Sequence, residues 1–314
     1  MEKRAIGNSG LKVSLIGLGC NNFGSRIDRA ASGPVIEKAL DLGIDFFDTA
    51  NVYGSPTGES ETILGHVLGT RRKNVVLATK CGKQMSSTGA LKGGSRSTII
   101  TSVEDSLRRL KTDWIDLMYM HDPDPSTPIE ESLRALDDLV RQGKVRYIGC
   151  SNFAAWQLAE AAYVADHRNL HHFICSQDEY SLLTRAPEKE MIPAMKHFGL
   201  GLIPYFPLAS GLLTGKYKRD AMPKGARLTQ SEKLAKYFLA DPNVWTRIEK
   251  LEAFCDEQGH SMTELAFSWL GARQPVSSII AGASNPEQLE ENVKSANWKL
   301  TAEDMKRIDD LLMV

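Results

Sequence analysis

The stretch IDLMYMHDPDPSTPIEESLRALDDLVRQGKVRYIGCS, Ile115–Ser151, places two short apolar runs on either side of a longer amphipathic one. The outer runs, Ile115–His121 and Val145–Ser151, have the length and apolar content of buried strands. Between them Ile129, Leu133, Leu136, Leu139 and Val140 recur close to helical spacing, after Pro128 and two glutamates and before Gly143. Strand, helix and strand in that order make a βα unit.

The alternation continues along nearly the whole chain. Val13–Gly19, Asp45–Ala50, Asn74–Lys80, Phe173–Gln177, Gly201–Pro207 and Ser277–Ala283 complete a set of eight candidate strands, and Ile99–Leu110 has helical periodicity. No linker rich in Pro, Gly or Ser divides them. The pattern predicts an α/β chain folded as a single (β/α)8 TIM barrel domain over residues 1–314, with a doubly wound open sheet as the structural rival. One connection, Phe206 to about Asp241 after the seventh strand, is as long as lids and binding loops are.

Composition excludes some functions. The chain has 38 basic and 39 acidic residues, a formal net charge of −1, which gives no reason to expect nucleic acid or a membrane surface as partner. No apolar run approaches the ~20 residues of a membrane helix, and MEKRAIGNSG at the start lacks an apolar signal core. The five cysteines, Cys20, Cys81, Cys150, Cys175 and Cys255, form no CxxC pair and read as small buried hydrophobes in a reducing, cytoplasmic setting.

In a barrel the catalytic face is built at the C-terminal ends of the strands. Asp48 follows the second run, Lys80 the third and His121 the fourth. Ser151 and Asn152 follow the fifth, Gln177 the sixth and Tyr205 the seventh. Each alone has a dull explanation, as a solvated lysine or a structural histidine. Polar or aromatic groups at six consecutive strand ends converge on one mouth. Asp48 also closes an apolar stretch, where a carboxylate is costly unless a cation meets it. GLGCNNFG, Gly17–Gly24, is not a dinucleotide fingerprint, because Asn22 stands where the third glycine belongs. A metal-dependent hydrolase on the same barrel would need clustered ligands. The chain lacks HxH and HExxH, so no metal is expected.

These segments together resemble the aldo-keto reductase family. DFFDTANVYG carries its Asp-plus-Tyr motif, ATK its strand-end lysine, and YMHDPDPSTPIEESLRALDDLVRQGKVRYIGCSNF its histidine segment and Ser-Asn pair. GLLTGKY and GASNPEQLEEN are similar to its cofactor-binding segments. The resemblance implies a catalytic tetrad of Asp48, Tyr53, Lys80 and His121 and reduction of an aldehyde or ketone with NAD(P)H. It implies that Ser151, Asn152 and Gln177 grip the nicotinamide carboxamide and that Tyr205 stacks on its ring. Leu208, Gly211, Leu212, Thr214 and Lys216 would follow the pyrophosphate, and Gly282, Ser284, Gln288 and Asn292 the adenosine. NADP(H) is favoured over NAD(H), although no Lys or Arg lies between Ile280 and Asn292; Arg227 in the long connection could supply the missing charge.

The chemistry supports the tetrad independently. Hydride transfer to a carbonyl leaves an alkoxide that needs a proton, and a tyrosine beside an ammonium can give it. Lys80 is expected to lower the Tyr53 pKa, Asp48 to hold Lys80, and His121 to orient the carbonyl. The substrate pocket is expected to draw on Asn21, Asn22, Phe23, the loop after Cys81 and parts of the long connection. Asn21 and Asn22 suit a sugar-like substrate. A non-catalytic, nucleotide-binding regulatory subunit on the same fold is the alternative.

Overall fold

The computed structural model describes residues 1–85 and 91–313. An antiparallel pair, β1 (Lys3–Ala5) and β2 (Lys12–Ser14), precedes eight parallel strands. These are β3 (Ile16–Gly19), β4 (Phe46–Asp48), β5 (Val76–Cys81), β6 (Ile115–Met120), β7 (Val145–Ser151), β8 (Phe173–Gln177), β9 (Gly201–Leu202) and β10 (Ile279–Gly282). Each of β3 to β8 pairs with its successor, β8 with β9, and β10 returns to β3. The seam closes through Leu202 N to Pro275 O (3.0 Å), Ser277 N to Leu202 O (2.9 Å) and Ile280 N to Pro204 O (3.0 Å). The sheet therefore has no free edge, and the fold is the expected (β/α)8 barrel.

Local sequence explains the helices that separate the strands. Ser95 caps Arg96–Leu110 by accepting from Thr98 N, so this helix starts three residues before the first apolar repeat. Ile129–Arg141 begins after Pro128 and stops before Gly143, whose φ of +75° ends the turn. Aliphatic side chains from these helices and from the outer strand faces form the larger core. A smaller core fills the barrel itself with Phe46, Leu117, Tyr119, Cys175, Ile203 and Ile280. Ile6, just after β1, and Val13, on β2, belong to the same core.

Three details differ from the sequence reading. Val13–Gly19 is broken into β2 and β3, the seventh strand is only Gly201–Leu202, and the long connection contains helices at Arg227–Gln230 and Glu232–Phe238. Pro204 and Pro207 explain the short strand, since neither can donate to a ladder.

Gly149 on β7 lets the large ring of Tyr119 lie inside the barrel. A Cβ there would stand 2.9 Å from Tyr119 Cδ1 and 3.0 Å from Cys175 Sγ. Gly149→Ala should therefore lower unfolding free energy by about 1–3 kcal/mol, the range for overpacking. Denaturant melting would check this, and an unchanged midpoint would contradict it.

Candidate active site

The strand ends open into a cavity of about 720 Å³, a size suited to a small molecule or cofactor. Its floor is an ion pair. Lys80, fully buried, donates from Nζ to Asp48 Oδ1 at 2.5 Å and to Thr49 O at 2.7 Å. The other Asp48 oxygen accepts from Gln177 Nε2 at 2.8 Å. Tyr53 and Tyr119 flank the ammonium, with ring centroids 5.0 and 5.7 Å from Nζ. Isolated burial of either charge would be prohibitive, whereas a paired and hydrogen-bonded couple is tolerated.

The electrostatics sort the titratable groups. Burial alone would push Lys80 down, but Asp48 and then Tyr53 outweigh it, so its pKa lies above the ordinary value and the ammonium persists. Burial pushes the Tyr53 phenol up, opposed by the Lys80 charge, and the upward effect wins. Lys80 does pull the phenol down, as expected, but burial, joined by a smaller upward push from Asp48, outweighs it, so the net shift is upward rather than the expected downward one. Tyr53 is consequently a protonated acid at neutral pH. Burial, aided by the charges of Lys80 and Lys83, holds His121 down to about 2, so the imidazole is neutral. Its ring stands edge-on to Tyr53 with centroids 5.9 Å apart.

One wall is knitted by Asn152, whose φ of +60° suits asparagine better than most side chains. Its Nδ2 donates to His121 O (3.0 Å), Asp122 Oδ1 (2.9 Å) and Ser151 Oγ (3.2 Å), and its Oδ1 accepts from the Tyr205 hydroxyl (2.8 Å). The side chain thus ties three strand ends together. Ser151, Gln177 and Tyr205 also line the cavity.

The opposite reach is formed by the long connection. Phe206, Ala209 and Ser210 have φ of 53°, 44° and 56°, and Gly211 has φ of 97°. A Cβ on Gly211 would stand 3.0 Å from Lys216 Cε, so the close approach also calls for glycine. Ser210 Oγ, on the cavity wall, has no hydrogen-bond partner among the described residues. Three cations share this end. Lys216 Nζ lies over the Tyr217 ring at 5.3 Å, the Arg227 guanidinium over Phe206 at 5.2 Å, and Arg26 donates to Gln230 Oε1 at 3.0 Å. Burial and then mutual repulsion push the Lys216 and Arg227 pKa values down. Cations lining a cavity with no carboxylate partner among the described residues, beside an orphan hydroxyl and a turned backbone, fit an elongated anionic nucleotide.

Leu208, Gly211, Thr214, Lys216 and Arg227 line this end, and Gly282, Ser284, Gln288 and Asn292 line the part formed by β10 and helix Pro286–Lys294. There Gln288 Oε1 accepts from Ser284 N at 2.9 Å. Asn21 and Asn22 border the cavity as well, though Asn22 Nδ2 donates to Ala283 O at 3.4 Å.

Three expected residues do not line the cavity, and one of them, Lys80, is fully buried and bonded to Asp48, which does. Phe23 and Leu212 are fully buried in the larger core and do not line the cavity, because their apolar side chains anchor the loops whose polar neighbours face it. Of the loop after Cys81, residues 86–90 lie outside the described residues. Sequence reading missed Arg26 and Val52 on the wall, and it named the loops that hold Lys83 and Ser210 without naming those residues. The position of Lys83, two residues beyond β5, was the available signal.

The buried histidine gives a measurable expectation. The His121 resonances should not titrate between about pH 5 and pH 9. An unfolded imidazole takes a proton near 6.5 while the folded one stays neutral to about 2. Unfolding therefore takes up a proton below 6.5, and His121 costs stability progressively as pH falls through that window. An NMR midpoint for His121 near 6.5 would contradict this.

Comparison with known proteins agrees with this geometry. The Aldo/keto reductase family model matches residues 15–313. A Bacillus subtilis (strain 168) protein named "Uncharacterized oxidoreductase YrpG" is 37% identical, over 99% of this chain and 96% of its own. An Arabidopsis thaliana protein named "Probable voltage-gated potassium channel subunit beta" is 37% identical, over 95% of this chain and 92% of its own. L-glyceraldehyde 3-phosphate reductase of Escherichia coli O157:H7 is 33% identical, over 98% and 92%. With a closed barrel, a strand-end site and a family match over nearly its whole length, the chain belongs to the aldo/keto reductase family and is an NAD(P)H-dependent oxidoreductase that reduces carbonyl groups.

Proposed function

We propose that Tyr53 is the proton donor for reduction of a small, hydroxylated, sugar-like aldehyde or ketone, and that NADP(H) is the preferred cofactor. The observation that carries this reading is the floor, where a protonated phenol and a neutral imidazole line the cavity and a buried ammonium lies 5.0 Å from the phenol ring. The bound nicotinamide supplies the hydride, which no side chain can carry.

The residues divide the remaining work. A substrate carbonyl between Tyr53 and His121 accepts a hydrogen bond from the phenol, and from the imidazole in the tautomer that presents N–H. As negative charge grows on the carbonyl oxygen, the Tyr53 proton passes to it. Lys80 stabilises the phenolate left behind, and Asp48 keeps the lysine charged and fixed. The lysine effect thus belongs to the transfer step, while burial keeps the resting phenol protonated.

Ser151 and Gln177 are the groups we assign to the carboxamide, with Asn152 positioning the wall around them. Tyr205, its hydroxyl held by Asn152, offers a ring for stacking. Lys216 and Arg227 are assigned to the phosphates, and the extra positive charge supports NADP(H), since it can meet a 2′-phosphate. Asn21 on the wall supports a hydroxylated substrate, as does the name of the E. coli relative, a reductase of a phosphorylated triose. The five buried free cysteines fit a reducing, cytoplasmic setting. No helix among the described residues is long and apolar enough to cross a membrane.

Tyr53→Phe should lower kcat by at least about 10²–10⁴-fold, the usual worth of general acid catalysis, and leave NADPH binding intact by fluorescence titration. Normal aldehyde reduction by that variant would rule out Tyr53 as the acid. Arg227→Met should raise KM for NADPH by about 10-fold or more while changing KM for NADH far less, as expected for loss of one charge-assisted phosphate contact. Equal effects on both cofactors would remove the basis for the NADP(H) preference.

A further inference from the structure

At the end of the cavity nearest Tyr53 and His121 the wall carries a cation that the catalytic floor does not use. Lys83 lies two residues beyond β5, lines the cavity, and is close enough for its charge to act on His121. It is not locked in place. Its Nζ stands 3.4 Å from Asp122 Oδ2, with the two side chains 39% and 42% exposed. Such a loose surface pair contributes little to stability. Asp122 does not line the cavity, and its other oxygen already accepts from Asn152 Nδ2 at 2.9 Å. Lys83 can therefore turn toward an incoming anion without stranding Asp122.

The other lining cations, Arg26, Lys216 and Arg227, repel one another beside the long connection and belong with the nucleotide. Asp48 is already matched by Lys80. The carboxylate left on the wall, Glu291, lies with Gln288 and Asn292 on the helix following β10. Among the described residues that line the cavity, Lys83, paired only loosely with Asp122, is the cation left at the substrate end. A neutral aldehyde would gain nothing from that charge.

We propose that the substrates are carbonyl compounds bearing an anionic group, a phosphate or a carboxylate, which Lys83 recognises while the carbonyl sits at Tyr53 and His121. This inference rests on the reductase reading above and adds the substrate's charge to it. The mobile four-carbon stem suits a point-charge contact to either anion better than a fixed bidentate one.

The test uses the full-length enzyme with saturating NADPH and matched pairs: glycolaldehyde phosphate against glycolaldehyde, and succinic semialdehyde against butanal. At least one anionic member should exceed its neutral partner in kcat/KM on the order of tenfold, the worth of one charge-assisted hydrogen bond. Which pair shows the advantage distinguishes phosphate from carboxylate. The ratio should fall toward one in Lys83→Met, be largely kept in Lys83→Arg, and shrink as salt rises from about 20 to about 500 mM. Reduction of both members of each pair at similar efficiency, or a ratio that survives Lys83→Met, would overturn the inference and leave the reductase reading standing. Failure to oxidise NADPH with any of the four would overturn both.

Discussion

The site depends on one buried ion pair. An ammonium with no exposed surface, such as that of Lys80, persists only because Asp48 and a backbone carbonyl accept its hydrogen bonds. Asp48 in turn is held by Gln177 from a strand on the far side of the barrel. Three strand ends are thereby locked to one charge. Breaking such a pair by removing one member costs about 3–5 kcal/mol, because the survivor is left uncompensated. The arrangement is not a cheap source of stability. It makes sense as a way to keep a fixed positive charge beside Tyr53 in a place from which water is largely removed.

That placement resolves an apparent contradiction. A lysine beside a tyrosine is expected to make the phenol more acidic, yet the resting Tyr53 is less acidic than a free one. The two statements concern different moments. Burial penalises the phenolate while the cavity awaits its reaction, so the proton is present when needed. In the proposed mechanism, Lys80 reduces the penalty of losing it once charge has developed on the substrate oxygen. His121 remains neutral chiefly because burial disfavours the charged ring, and the same ammonium adds to that penalty. A neutral imidazole can orient the carbonyl without competing as the acid.

Much of this was legible because barrel architecture converts strand ends into neighbours. Asp48, His121, Ser151, Gln177 and Tyr205 are distant in sequence, yet all border one cavity. What escaped was whatever depends on side-chain direction or on context. Phe23 and Leu212 sit within otherwise polar or small segments, and nothing in their spacing says that they point into the core. The β1–β2 pair has strands of three residues each, too short for an alternating pattern to register. Gln177 could be placed at the site, but its bond to Asp48 needed coordinates. The direction of the Tyr53 shift needed burial to be weighed against charge, and sequence supplies only the charges.

The roles proposed above, holding nucleotide and moving protons, fall to different parts of the chain. The cationic end is built from the loop after β3 and the long connection, whereas the floor is built from β4, β5 and β8. A relative could keep the first and lose the second, and it would then bind nucleotide without reducing anything. This chain keeps both, and the second is the costly one. A fully buried lysine, a carboxylate spent on holding it, and an imidazole kept neutral offer no benefit to a protein that only binds. Core residues of similar volume would serve such a protein as well or better. The floor is therefore the part of the structure that argues for chemistry, and the relatives that share the fold do not weaken it.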